Sequence, residues 1–258
     1  MNKLAKILID MLQNKSHITK EADPPHLLRT SKSEDLFAKK SYSQSGEDMI
    51  IDFIFKALEI PDPTYLDLGA HHPRLLSNTH SFYLAGSHGV NVEADPNLYQ
   101  AFLKERPLDK NLNIGVGVFG GESLPFYIMS TPTLNTFSKE EAERYSTIGD
   151  FRIEKVIDVP IVGVNEIIDQ NFDGAVPDLI TIDVEGLDQQ IIESINLERY
   201  RPTVICVETI TFSVDFSGKK IGEIEKYLIT KGYFLYADTF INSIFVDKMR
   251  WRPKEKSE

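Results

Sequence analysis

Acidic side chains in this chain stand where apolar runs stop. In "YLDLGAHHP", residues 65–73, a hydrophobic run delivers Asp67, then Gly69 and Ala70, then two adjacent histidines, His71 and His72, closed by a proline. "GVNVEAD" ends on Glu93 and Ala94, 26 positions after Asp67, while "PDLITIDVEGLD" ends on Asp183 and Glu185 and "TVICVET" on Glu208. An acid at the end of a strand can accept both hydroxyls of a ribose, and a glycine there lets backbone approach a ligand. Asp67 and Glu93 together therefore describe an adenosine site, although either alone also reads as a turn cap or a solvated strand end. The paired imidazoles offer a neutral base, or a hydrogen-bonded structural role for one of them. Asp183, at the rim of an apolar strand, needs a partner: a cation, a substrate hydroxyl or a buried lysine. Glu185 also stands where a helix would begin, and there the macrodipole stabilises an acid.

A second nucleotide signal competes with this one. "GVGVFG", residues 115–120, matches the G-x-G-x-x-G pattern. That fingerprint works only when its glycines turn a strand into a helix whose N-terminus meets a diphosphate. The next residues, "GESLPFYIM" from Gly121 on, hold a proline and β-favouring side chains, so the expected structure is a strand, a glycine turn and another strand. The turn at Gly69 lacks the other two glycines, which suits a cofactor without a diphosphate.

The elements that must position these residues alternate. Strands are expected at 64–68, 89–93, 112–118, 124–129, 157–162, 178–183, 203–208, 232–237 and 242–247, and helices at about 46–58, 77–85, 96–106, 138–146, 163–168, 187–195 and 219–231. "LITIDV" is apolar almost throughout, as a central strand covered on both faces should be. "KGYFLYADTFINSIFVDK" holds two strand patterns with little room between them, so the chain should end in an antiparallel hairpin. Alternation followed by a hairpin gives a mostly parallel α/β sheet whose ligands sit at the carboxyl ends of its strands. The ends of the fourth and fifth main strands are then expected beside the first, so that Asp183, Glu185 and Glu208 face the same crevice as the histidines.

With 258 residues, 41% of them hydrophobic, the chain can bury one substantial core. The formal net charge of −11 lacks the footprint that draws a protein to phosphate backbones, so nucleic acid is not expected as a partner. The lone cysteine, Cys206, excludes an intrachain disulfide and a cysteine zinc cluster, and reads as a core residue of a cytoplasmic protein. At the N-terminus the apolar run Ile7–Ile9 is too short for a signal peptide or an integral membrane segment. Leu4, Ile7, Leu8 and Met11 share a helical face, however, which points to an amphipathic helix docking on its own domain or on a second subunit of a homo-oligomer. Residues 1–40 are taken as this helix and a polar arm, and 41–258 as the main domain.

The stretches "SYSQSGEDMIIDFIF", "YLDLGAHHP", "SNTHSFYLAGSHGVNVEADPNLYQAF", "NIGVG", "LITIDVEGLDQQIIESI" and "RPTVICVET" resemble, in order from about residue 41 to 247, the FkbM family of S-adenosylmethionine-dependent methyltransferases. The resemblance implies the class I methyltransferase fold, a Rossmann-like seven-stranded sheet with an antiparallel last strand, and transfer to an oxygen, often on a sugar or polyketide. It implies that Asp67, Gly69, Ala70 and His71 line the methionine end of the cofactor, that Glu93 and Ala94 meet the ribose, and that Gln44 helps cover the site. A histidine at 72 before proline fits the family pattern, whereas His71 stands where members commonly carry a larger neutral residue. Asp183 and Glu208 stand at positions that resemble the metal carboxylates of catechol-type methyltransferases, which would suit Mg²⁺ or Mn²⁺.

The reaction class so implied is O-methylation of a sugar or glycan acceptor, belonging to a surface polysaccharide or derived from a nucleotide sugar, in which an oxygen is placed in line with an activated methyl and loses its proton. His72 is the expected base, with Asp183 and Glu185 as further catalytic acids and a divalent cation on Asp183 and Glu208 as an aid. Two other classes stay open on the sequence: an NAD(P)-dependent oxidoreductase or epimerase, which would make "GVGVFG" its phosphate turn, and a non-catalytic cofactor-fold partner subunit.

Overall fold

Apolar strands such as "LITI" can be satisfied only between two layers, and the computed structural model provides them. It describes residues 38–184, 186–211 and 218–251; the expected N-terminal helix lies outside the described residues. In chain order the elements are α1 (Glu47–Ala57), β1 (Tyr65–Leu68), α2 (His80–Ala85), β2 (Gly89–Val92), α3 (Pro96–Glu105), β3 (Lys110–Leu112), β4 (Gly115–Gly117), β5 (Ser123–Met129), a 3-10 turn (Pro132–Leu134), α4 (Lys139–Tyr145), β6 (Ile153–Gly163), α5 (Val164–Asn171), β7 (Leu179–Ile182), α6 (Asp188–Ser194), β8 (Val204–Glu208), α7 (Gly222–Thr230), β9 (Tyr233–Asp238) and β10 (Asn242–Asp247).

The main sheet has seven strands in the order β3-β2-β1-β7-β8-β10-β9. Its strands are parallel except β10, which runs antiparallel between β8 and β9. This is the class I methyltransferase arrangement, closed by the expected terminal hairpin. Alternate residues of the central strands feed two apolar layers. Leu66, Leu68, Ile180, Ile182, Ile205, Val207 and Phe245 meet the inner faces of α5, α6 and α7. Tyr65, Leu179, Val204, Cys206, Ile244 and Val246 meet Ile51, Ile54 and Phe55 of α1. Cys206 is fully buried, as a core residue should be.

Two expectations change. The run expected as one strand at 112–118 divides into β3 and β4, which belong to different sheets. Asn113 causes the break: its Nδ2 donates to the carbonyls of Glu93 and Ala94, ending the pairing with β2. From there β4 turns away to pair with the end of β6, and β5 pairs antiparallel with β6, giving a separate three-stranded sheet. The "GVGVFG" stretch is therefore strand and turn, and no helix opens after it. Secondly, β7 pairs with β1 but β8 lies one strand farther out, so only the fourth main strand adjoins the first.

Gly69 is essential to this geometry for a reason different from the expected one. It has φ +78°, and a Cβ built on it would lie 1.8 Å from the Asp183 carbonyl oxygen. The bare backbone thus permits the ends of β1 and β7 to meet, as well as facing the cleft. Gly69→Ala is expected to destabilise the protein by about 1–3 kcal/mol or more in urea denaturation, through positive-φ strain and the clash. Gly222→Ala, with no positive φ and open space at the site of its Cβ, is expected to be neutral or slightly stabilising.

Candidate active site

The sheet order reverses at β1: the chain moves outward through β2 and β3 on one side, and through β7 and β8 on the other. Open α/β sheets bind ligands in the crevice at such a point. A cleft lies there, lined by Asp67, Gly69, Ala70, His71, Glu93 and Ala94 on one side. Asp183 and Glu208 face it from the other side, and Gln44 reaches it from the segment ahead of α1. Glu185 lies outside the described residues.

Glu93 is held as an acceptor from both ends. Its Oε1 accepts from the Asp95 amide at 2.7 Å and its Oε2 from the His71 amide at 2.8 Å. Each oxygen keeps a lone pair for a hydroxyl. The two amides favour the charged form, but burial outweighs them and pushes its pKa up to about 8. Asp67 is set from behind: Thr79 Oγ1 donates to its Oδ2 at 2.7 Å and itself accepts from Arg106 Nη1 at 2.9 Å. Burial raises Asp67 to about 6 against the opposing pull of the Arg106 guanidinium. Asp95 caps α3 by accepting from Asn97 N, and its other oxygen takes a hydrogen bond from Asn135 Nδ2, tying the loop after β5 to the cleft.

The two histidines separate. His71, at φ +52°, lines the cleft, and burial first and the neighbouring His72 second hold its pKa down to about 4, so it is neutral. His72 is not among the cleft-lining residues. Its Nδ1 accepts from the amides of Arg74 and Leu75, at 3.1 and 3.0 Å, and so forms the turn after Pro73. With Nδ1 occupied in this way, the neutral ring carries its proton on Nε2 and has no lone pair to offer as a base. In this conformation His72 is committed to the backbone, and His71 is the imidazole that lines the cleft.

The opposite wall is acidic. Asp183, Asp188 and Glu208 each place a carboxylate oxygen within 4.8 Å of the others. Asp188 is buried, and its oxygens accept from the amides of Val184 and Gly186, which folds the turn that presents Asp183. Asp183 is open to the cleft yet walled by protein. Desolvation foremost, then the charges of Asp188 and Asp67, raise its pKa well above the usual carboxylate range.

Gln44 is fixed by two fully buried acids at the start of α1. Asp48 accepts from Ser41 Oγ, Tyr42 N and Ser43 Oγ. Glu47 accepts from Ser45 N and reaches across to Thr239 and Asn242 in the terminal hairpin.

Several cleft residues escaped the reading of the sequence. Asn78 donates to Thr181 Oγ1 at 3.0 Å, and its Oδ1 is buried with no partner. Asn135, Thr136 and Phe137 come from the loop between the second sheet and α4. For Asn78 the signal was present in "SNTHSF", one residue before a helix-starting threonine. For the 135–137 loop there was none, because its position depends on the second sheet. The orphaned Asn78 oxygen, which needs a donor, and the spare lone pairs of Glu93 fit a ligand carrying an ammonium group and ribose hydroxyls.

The description "Methyltransferase FkbM domain" belongs to a family model that matches residues 67–235. No curated protein matches the sequence. Among solved structures, the magnesium protoporphyrin IX methyltransferase ChlM of Synechocystis PCC 6803 with bound SAM is 10% identical, over 78% of this chain and 80% of that one, with a TM-score of 0.34. A protein of Klebsiella pneumoniae provisionally described as an O-methyltransferase is 9% identical, over 96% of this chain and 91% of that one, with a TM-score of 0.36.

Asp67 and Glu93 both have folded-state pKa values above those of exposed carboxylates, so the folded chain holds their protons to higher pH than the unfolded chain does. Below about pH 6.5 the depressed His71 opposes this slope, but above it stability should fall as pH rises to about 8. Thermal melts of the ligand-free protein across that window are expected to show this slope, and Glu93→Gln is expected to flatten it at the alkaline end.

Proposed function

Because the chain belongs to the FkbM family of S-adenosylmethionine-dependent methyltransferases, we propose that it methylates a hydroxyl oxygen of a sugar or glycan, with Asp183 as the group that receives the hydroxyl proton. The cofactor supplies a methyl group already activated on a sulfonium. Glu93 accepts the ribose hydroxyls, and the Asn78 Oδ1 and the carboxylate of Asp67 suit the positively charged methionine end. Gln44, anchored through Glu47 and Asp48, covers the cleft and excludes water from it.

One observation supports this reading most directly: a ribose acceptor just after β2 and a carboxylate of raised proton affinity after β7 share one cleft. A carboxylate at its ordinary pKa is a feeble base toward a sugar hydroxyl, and elevation toward neutrality improves it. His71 is a weaker candidate, since its pKa is held down to about 4. The proximity of Asp183, Asp188 and Glu208 favours a second reading, in which Mg²⁺ or Mn²⁺ sits on these oxygens and acidifies the hydroxyl.

Calorimetry with S-adenosylmethionine tests the cofactor assignment: Glu93→Ala should weaken binding by about 5- to 150-fold, corresponding to about 1–3 kcal/mol for ribose hydroxyls left without their acceptor. No heat of binding to the wild type would remove the assignment. Asp183→Asn should retain the fold by thermal melt and lower turnover by about 10²–10⁴. Activity that survives EDTA, with Asp183→Asn still impaired, identifies Asp183 as the base. Loss in EDTA and recovery with Mg²⁺ or Mn²⁺ identifies the cation.

A further inference from the structure

Among the described residues lining the cleft there are four carboxylates, Asp67, Glu93, Asp183 and Glu208, and neither a lysine nor an arginine. His71 adds no charge at neutral pH. Three cations near the walls are engaged elsewhere. Arg106 is fully buried behind Asp67 and paired with Asp109, Arg74 pairs with Glu105, and Lys220 donates to Asp238 and Thr209.

Proteins also hold phosphate without arginine or lysine, by offering it backbone amides at a helix N-terminus or in a turn. Here several of the amides around the cleft already serve the chain's own carboxylates. Glu93 takes those of His71 and Asp95, Asp95 takes that of Asn97 at the start of α3, and Asp188 takes those of Val184 and Gly186 ahead of α6. An anionic group entering the cleft would meet carboxyl oxygens, some of them charged, in a poorly screened setting, with no lysine or arginine among the described lining residues to hold it. Uncharged hydrogen-bonding groups remain, among them Gln44 and Thr211.

We infer that the acceptor bears no phosphate within the cleft: the reacting sugar is presented as a neutral polyol or glycan residue, and its nucleotide-diphosphate form is excluded. This narrows the acceptor class and rests on the methyltransferase reading above. For a glycan residue this places the reaction after the glycosyl transfer that releases the nucleotide, so the class of reaction supplying that substrate is a glycosyltransferase step.

The test uses the full chain loaded with S-adenosylhomocysteine, whose binding is first established by calorimetry; failure at that stage would count against the methyltransferase reading itself. UDP-glucose and glucose 1-phosphate are then titrated in EDTA and, separately, in Mg²⁺. The expected result is no saturable binding below about 10 mM in either condition, at least about a thousandfold weaker than an ordinary micromolar ligand. With labelled S-adenosylmethionine, a panel of methyl hexosides and the UDP forms of the same hexoses should divide by at least about tenfold in favour of the methyl hexosides. Micromolar binding of either phosphate-bearing probe, with or without Mg²⁺, would overturn the inference, as would faster transfer to the UDP-hexoses.

Discussion

A guanidinium with no access to solvent has to be satisfied entirely by protein, and Arg106 imposes that requirement on the half of the fold that carries the cofactor side of the cleft. Its Nε donates to Asp109, its Nη1 to Thr79 and its Nη2 to Tyr65, at 2.7, 2.9 and 2.8 Å. Asp109 is completed by the Tyr65 hydroxyl, the Gly89 amide and Asn91 Nδ2. One buried ion pair thereby joins β1, the start of α2, β2 and the end of α3. Losing one partner of such a pair typically costs about 3–5 kcal/mol, because the other charge is left uncompensated. The same contacts have a functional end, since Thr79 passes the arrangement on to Asp67.

From that anchored side the cleft is built by carboxylates facing one another. Each costs desolvation, and the chain offsets the cost in different ways. Glu93 receives two backbone amides, Asp188 two others, and Asp67 a hydroxyl backed by a cation. Asp183 has the least internal compensation in the set, with its raised pKa coming from burial and two neighbouring acids. That asymmetry divides the acids physically: those whose hydrogen bonds are filled hold geometry, and the one left short of them has the least to keep its charge in place. The close contact of Gly69 with the Asp183 backbone fixes the distance between the two functions.

The cleft becomes a closed site only through elements distant in sequence. The second sheet brings Phe126 and the loop at 132–137 over the cofactor side, and the bond from Asn135 to Asp95 joins that loop to α3. On the other side, Glu47 joins the segment carrying Gln44 to the terminal hairpin across nearly the whole length of the chain. Both connections are side-chain hydrogen bonds of buried groups, which makes them specific in geometry.

The sequence by itself determined the strands and helices, the parallel sheet with its terminal hairpin, and the positions of Asp67, Gly69, Glu93, Asp183 and Glu208 at strand ends, because each of these depends on local periodicity or on the rule that ligands meet strand termini. It also exposed "GVGVFG" as strand, since Pro125 and the β-favouring residues around it forbid a helix. What only the tertiary structure decided is how side chains are spent. His71 and His72 are chemically identical neighbours, and nothing local says that one faces the cleft while the other is consumed by the amides of Arg74 and Leu75. The division of 112–118 between two sheets likewise rests on Asn113 reaching the carbonyls of Glu93 and Ala94, about 20 residues away. Partners far apart along the chain leave no period in the sequence, so a residue's type can be read there while its commitment cannot.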